Sequence, residues 1–229
     1  SKVAVCEQKC KILSKLLNRD TLFIDIGANT GQTLITVKSI FPQLKYIGLE
    51  PNPYCGFYLK ELIRINNWKN TGLFHIGVSN KRDFLNLNLS NDDNLWSSSA
   101  SFVKFQNNPK FTVPVNSIDE IFQNQNYEKN ILVKIDVEGH ELAVLEGMKY
   151  FIQNKQPLII IEILPSYDGK DKDRARNIAA INYLIESIFY KIGSIDEHGK
   201  ILPLSSLKQD ITIEQSNFLL YPASEVLKV

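Results

Sequence analysis

Acidic and imidazole side chains crowd into positions 136–141, Asp136-Val137-Glu138-Gly139-His140-Glu141, directly after the apolar run Leu132-Val133-Lys134-Ile135. A carboxylate is costly to place in a core but stable at the mouth of a parallel sheet, where open α/β folds bind ligands. Glu141 reads as a charge in the first turn of the helix that follows. Asp136 reads as a site residue, because a second acid, Asp25, ends the earlier run Leu22-Phe23-Ile24 in a similar setting. Glu162 interrupts Leu158–Leu164, the most apolar run of the chain, and is either a paired structural charge or a site residue. The site reading is preferred, since such sheets carry their sites at strand ends.

After Asp25 the chain reads Ile26-Gly27-Ala28-Asn29-Thr30-Gly31. Gly27 permits a tight turn and Gly31 a close backbone approach. N–H groups at the start of the next helix can hold an anion. A nicotinamide fold would show G-x-G-x-x-G here, to seat a pyrophosphate; this loop is G-x-x-x-G preceded by an acid. S-Adenosylmethionine has no pyrophosphate but carries an amino group, a carboxylate, a sulfonium and a ribose. Asp25 suits the ammonium, directly or through water, and the helix N–H groups suit the carboxylate. Glu50 ends the next apolar run, where a carboxylate can accept both ribose hydroxyls, and Pro51 stiffens the turn after it. An NPPY-type motif of amine and base methyltransferases is missing after the fourth strand. Asn52-Pro53-Tyr54 follows the second strand and is discounted.

The elements that position these residues alternate. Apolar runs at Leu22–Ile26, Tyr46–Glu50 and Leu73–Ile76 are separated by helical patterns at 31–40 and 54–66. That predicts β-α-β-α-β, hence a parallel sheet with right-handed crossovers. Residues 3–17 read as an N-terminal helix. Residues 131–136 and 158–164 read as strands around a helix across 141–152. Residues 175–189 read as a helix, and 190–195 with 217–221 as an antiparallel edge pair. Phe84–Leu89 alternates like a half-exposed strand, and Phe111–Val115 looks like an edge strand because Pro114 cannot donate to a ladder. Ser117 and Glu120 fit a capping box. The polar stretch Ser90–Ser101 around Trp96 reads as a substrate-side lid or as a plain surface loop. The whole, 1–229, is expected to be one domain, with 1–20 an N-terminal helix and 80–116 a substrate-side insertion.

Composition agrees: 229 residues, 44% hydrophobic and 22% charged, suit one domain with a sizeable core. Lys plus Arg is 26 against 25 Asp plus Glu, a net charge of +1 that argues against nucleic acid as the main partner. The three cysteines, Cys6, Cys10 and Cys55, are no disulfide framework. No apolar run approaches the roughly 18 residues of a membrane span. With no signal peptide visible, a cytoplasmic protein is expected.

At this point the chain resembles the FkbM family of S-adenosylmethionine-dependent methyltransferases. The matching stretches are IDIGANTGQT (24–33), GLEPNP (48–53), HIGVSN (75–80), SSSASF (97–102), VPVNSIDEIF (113–122), VKIDVEGHELAVLEGM (133–148) and PLIIIEI (157–163). The resemblance implies a Rossmann-like class I methyltransferase: a mostly parallel, seven-stranded sheet with helices on both faces. It implies methyl transfer to an oxygen, often a hydroxyl of a sugar or of a polyketide-like metabolite. By match, Asp25, Gly27, Ala28, Asn29, Thr30 and Gly31 would line the cofactor. Glu50 would hold its ribose and Val78 and Ser79 would border the adenine; Pro51, Asn52, Gly77 and Asp136 would belong to the same cofactor site. Asn116-Ser117-Ile118-Asp119 stands where the family usually shows Thr-Thr/Ser-Leu-Asp.

A sugar hydroxyl is a poor nucleophile at neutral pH, so a base should speed its methylation by roughly 10²–10⁴. The candidates are Asp136, Glu138, His140 and Glu162, of which His140 has the most suitable ordinary pKa. Asp136 and Glu162, if they end neighbouring strands, could instead hold a divalent cation. The acceptor would be a small molecule or glycan, with Trp96 and Tyr167 within reach to stack on a sugar face. The rival readings are a nicotinamide-dependent oxidoreductase, a non-catalytic protein that kept the fold, and a nucleic-acid methyltransferase.

Overall fold

The computed structural model describes residues 11–89, 100–102, 111–125, 130–164, 172–208, 212 and 215–225. Trp96, Tyr167 and most of the expected lid lie outside them. Residues 11–16 are helical (α1). Then come β1 (Leu22–Ile26), α2 (Gln32–Ile40), β2 (Lys45–Leu49), α3 (Pro53–Ile65) and β3 (Thr71–Phe74). The next stretch holds β4 (Gly77–Val78), β5 (Asp83–Leu89), β6 (Ala100–Phe102), β7 (Phe111–Asn116) and α4 (Ile118–Ile121). It is followed by β8 (Ile131–Ile135), α5 (Glu141–Glu146), α6 (Lys149–Lys155), β9 (Leu158–Glu162) and α7 (Lys172–Ser187). The last described strands are β10 (Tyr190–Ile195), β11 (Ile201–Leu204) and β12 (Asn217–Pro222).

Among the described residues eight strands form one sheet, ordered β11-β10-β12-β9-β8-β1-β2-β3, and four form a second, ordered β4-β7-β5-β6. From β3 across to β9 every pairing is parallel. β12 runs antiparallel to β9 and to β10, as expected for the closing edge. The large sheet thus has one strand more than the seven expected. The addition is β11, which carries Pro203 and falls between the two strands expected as the edge pair. Pro203 is tolerated because β11 is the outermost strand, paired on one side only.

Helices cover both faces, so all five residues of β1 and of β8 are buried. The period-2 alternation of each strand then assigns side chains to two layers. Ile24, Ile26, Val133, Ile135, Ile159 and Ile161 belong to the core layer that also contains Val144 of α5, Met148 at the cap of α6, Ile152 of α6, and Ile178 and Ile185 of α7. Phe23, Tyr46, Leu132 and Ile160 belong to the other, with Leu13 of α1, Leu34 and Val37 of α2, and Leu59 of α3.

Three local expectations need correction. The helix expected across 141–152 is two helices, because Gly147 presses against Ser79: a Cβ there would meet the Ser79 carbonyl oxygen at 2.0 Å. The Gly147 carbonyl accepts from Asp119 N, and the Asp119 carboxylate accepts from the N–H groups of Tyr150 and Phe151 in α6. β7 is an edge only up to Pro114, since β4 pairs with Val115 and Asn116 beyond it. The capping box is half formed: Ser117 Oγ accepts from Glu120 N, while Ser117 N donates to Asn116 Oδ1.

Candidate active site

A cavity of about 230 Å³ opens at the carboxyl ends of β1, β2, β8 and β9. The loop after β1 forms one wall. Gly27 (φ 82°) and Gly31 (φ 87°) adopt the left-handed conformation that glycine takes without strain. Gly27 is also the point where β1 and β8 meet: a Cβ on it would lie 1.9 Å from the Asp136 carbonyl oxygen. Gly31 caps α2 without a side-chain hydrogen bond, and the first-turn residues Gln32 and Thr33 line the cavity.

Glu50 stands across from this turn. Asn29 N donates to its Oε2 and Asn52 N to its Oε1, both at 2.7 Å. The carboxylate is therefore fixed from two sides and almost wholly buried. Burial pushes its pKa up to about 7 against the pull of those two N–H groups, with Asp25 adding to the rise and Lys134 opposing it. Asn52 reaches no cavity surface; its side chain caps α3 by accepting from Tyr54 N.

Asp25 lies beneath the cavity rather than on its wall. It has no exposed surface, and Oδ2 accepts from the Tyr46 hydroxyl at 2.5 Å. The residue that reaches the cavity from this layer is Lys134, which is Asp25's register partner on β8. Its Nζ lies 2.8 Å from Asp136 Oδ2 and 3.6 Å from Asp25 Oδ1. Burial alone would lower this ammonium, but the neighbouring Asp136 and Asp25 outweigh it and hold the pKa above its ordinary value.

Asp136, Glu138 and Glu162 share the wall with Lys134. Glu138 has a left-handed backbone (φ 50°), which turns its side chain toward the cavity. Burial, followed by the charges of Asp136, Glu162 and Glu141, pushes its pKa up to about 7, with Arg174 opposing. Glu162 Oε1 accepts from Ser216 Oγ. Glu141 turns back onto the loop, where Oε1 accepts from Gly139 N, and is absent from the cavity wall. His140 is also off the wall, its Nε2 3.0 Å from Ser79 Oγ.

Of the expected site residues, the cavity brings together Gly27, Ala28, Asn29, Glu50, Pro51, Gly77, Val78, Asp136, Glu138 and Glu162. Thr30, Gly31, Ser79, Asn52, Asp25 and His140 sit behind it or beside it. Sequence reasoning missed Gln32, Thr33, Cys55, Leu87, Val137 and Lys134 as lining residues. Gln32 and Thr33 were legible as the first helical positions after Gly31. Leu87 comes from β5 of the second sheet, and no local signal announces its approach.

The chemistry of this wall fits S-adenosylmethionine. Glu50 offers a fixed carboxylate for ribose hydroxyls, the first turn of α2 offers N–H groups to a carboxylate, and Asp136 offers an anion to an ammonium. It does not fit the alternative in which Asp136 and Glu162 hold a divalent cation. Among the described residues no three His, Cys, Asp or Glu converge on one point, and the Lys134 ammonium occupies the side of Asp136.

A five-strand parallel run, helices on both faces, an antiparallel strand inserted near one edge and a G-x-x-x-G turn at the site define a Rossmann-like methyltransferase fold. Residues 25–211 match the methyltransferase FkbM domain, and the chain belongs to this family of S-adenosylmethionine-dependent methyltransferases. Among solved structures, a methyltransferase FkbM from Methylobacillus flagellatus KT aligns over 90% of this chain and 45% of its own, with TM-score 0.57 and 17% identity. An O-methyltransferase structure from Klebsiella pneumoniae aligns over 96% and 81%, with TM-score 0.55 and 10% identity. In sequence, hexuronic acid methyltransferase AglP of Haloferax volcanii is 42% identical over 60 residues, 26% of this chain and 25% of AglP. The chain thus spans under half of the FkbM structure, and its match spans a quarter of AglP. Among the described residues no helix is long and apolar enough to cross a membrane.

Proposed function

We propose that this protein transfers the methyl group of S-adenosylmethionine to a hydroxyl of a sugar or glycan precursor. The observation that carries the reading is Glu50, clamped by two backbone N–H groups on the far side of one cavity from Asp136, Glu138 and Glu162. When bound, S-adenosylmethionine supplies a methyl group on a sulfonium, ready for in-line displacement. Glu50 accepts the ribose hydroxyls, the first turn of α2 binds the carboxylate, and Asp136 takes the ammonium. The carbohydrate acceptor is supported by the sugar acid in AglP's name.

Glu138, rather than His140, is the base in this reading. It lines the cavity, and a pKa of about 7 makes it a competent proton acceptor near neutral pH. His140 is held to Ser79 away from the wall. Much of the rate comes from holding the acceptor oxygen behind the methyl carbon, with the base adding roughly 10²–10⁴. The test is a screen of hexuronates, neutral glycosides, nucleotide sugars and polyketide alcohols with methyl-labelled S-adenosylmethionine, read by mass spectrometry. A methylated glycoside is expected. On it, Glu138→Gln should lower kcat by roughly 10²–10⁴ and abolish the rise of kcat through pH 7. Label on a polyketide alcohol alone would refute the carbohydrate reading, and an unchanged pH profile would remove Glu138 as base.

A further inference from the structure

We propose that Lys134 is a positioning residue that sets the Asp136 carboxylate to receive the amino group of the cofactor. The proposal rests on the cofactor reading above and adds to it a part for the one cation on the cavity wall among the described residues. Asp25 and Lys134 are register partners on adjacent parallel strands, and Asp136 follows two positions later, so all three side chains fall on one side of the sheet. Lys134 Nζ is a hydrogen-bond donor to Asp136 Oδ2 at 2.8 Å and an ion-pair partner of Asp25 Oδ1 at 3.6 Å. Asp25 is itself anchored by the Tyr46 hydroxyl, and Tyr46 stacks on Phe23. The chain of contacts runs from the packed layer to the cavity wall: Phe23, Tyr46, Asp25, Lys134, Asp136.

Each link does a physical job. A fully buried carboxylate needs a cation, and Lys134 is that cation for Asp25. Asp136 follows the end of β8, with its N–H held by the Ile26 carbonyl. The lysine fixes one oxygen of its side chain, and the other is then oriented by the planarity of the carboxylate. Lys134 also offsets part of the charge that Asp136, Glu138 and Glu162 place on one wall. Without it, Asp136 would lose this oriented contact and would lie in a stronger field of like charges.

The experiment separates positioning from simple charge neutralisation. Lys134→Met alone would strand the buried Asp25, so the comparison is between Asp25→Asn and Asp25→Asn/Lys134→Met, with wild type as reference. Asn keeps an acceptor for the Tyr46 hydroxyl and removes the buried charge. Each protein is titrated calorimetrically with S-adenosylhomocysteine and with 5′-methylthioadenosine, which has the adenine and ribose but no amino-acid portion. Losing an oriented, charge-assisted contact should weaken S-adenosylhomocysteine by roughly tenfold to a hundredfold between the two variants. Binding of 5′-methylthioadenosine should stay the same, and Lys134→Arg in the Asp25→Asn background should recover part of the loss. Equal S-adenosylhomocysteine affinities in the two variants, or equal losses for both nucleosides, would overturn the proposal alone. Failure of wild type to bind either nucleoside would overturn the cofactor reading with it.

Discussion

The two faces of the large sheet are built from the same strands but to different rules. On one face Ile24, Val133 and Ile161 are fully buried and apolar, and that layer continues unbroken through α5, α6 and α7. On the other, the strands start apolar at Phe23, Leu132 and Ile160 and finish ionic at Asp25, Lys134 and Glu162. The change falls within two residues on each strand, one step of the period-2 repeat. A single register error in β8 would move Lys134 into the apolar layer and Val133 into the cavity. The apolar face therefore fixes the register, and the register places the charges. The charged strand-end side chains of the site occupy the half of one face that the core does not need.

The largest effect is expected where the faces meet the loop. Gly27→Ala puts a Cβ against the Asp136 carbonyl in a left-handed backbone. Neither the β1–β8 junction nor the cofactor turn can give way without the other. Stability should fall by roughly 4 kcal/mol or more, and cofactor binding should be lost in whatever remains folded. Denaturant melts together with calorimetry would show this; a variant that is stable and binds normally would mean that the two structures are not coupled at Gly27.

Next in size is a truncation confined to the apolar face. Ile161→Ala leaves a cavity among fully buried neighbours and should cost about 3 kcal/mol. Its side chain lies in the apolar layer, on the face opposite that of Glu162, so cofactor affinity per folded molecule should be unchanged. A matched loss of affinity would show that the two faces are not independent.

What the sequence made legible follows the same division. The parallel run was readable because strands buried on both faces are short, continuous apolar runs bounded by Gly and Pro, as in Leu22–Ile26 and Tyr46–Leu49. The acids at 50, 136 and 162 were readable because a carboxylate at the end of such a run stands out. Lys134 was not: a lysine in a strand says nothing until the β1–β8 register sets it beside Asp25. Glu138 and His140 were both candidates, His140 with the more suitable ordinary pKa, and it is the folded turn that puts Glu138 on the cavity wall and holds His140 to Ser79 away from it. β11 was hidden by Pro203 and the break at Gly147 by a contact with Ser79, a residue distant in sequence.

The smallest effect, and the one that most sharpens the contrast, concerns Glu50. Its folded pKa is raised to about 7, mainly by burial. Between an unfolded value near 4.3 and about 7, the folded state binds more protons than the unfolded one. The sign follows from linkage: Glu50 makes the protein less stable as pH rises through this window, with no further change above it. Cofactor binding runs the other way, because ionised Glu50 is the better acceptor for ribose hydroxyls, so affinity should rise as pH passes through 7. Glu138 titrates in the same range with the same effect on stability, so the informative quantity is the difference between wild type and Glu50→Gln. Gln offers one oxygen to the two N–H groups of Asn29 and Asn52, so the variant should be less stable at low pH. Its stability should nevertheless fall less between pH 5 and pH 8 than that of wild type. Its S-adenosylmethionine affinity should be weaker and flat across pH 7, where wild type climbs. Urea melts and calorimetry at four pH values would decide. If stability and affinity of the wild type rise or fall together, Glu50 is not the buried ribose acceptor that this side of the sheet is built to hold.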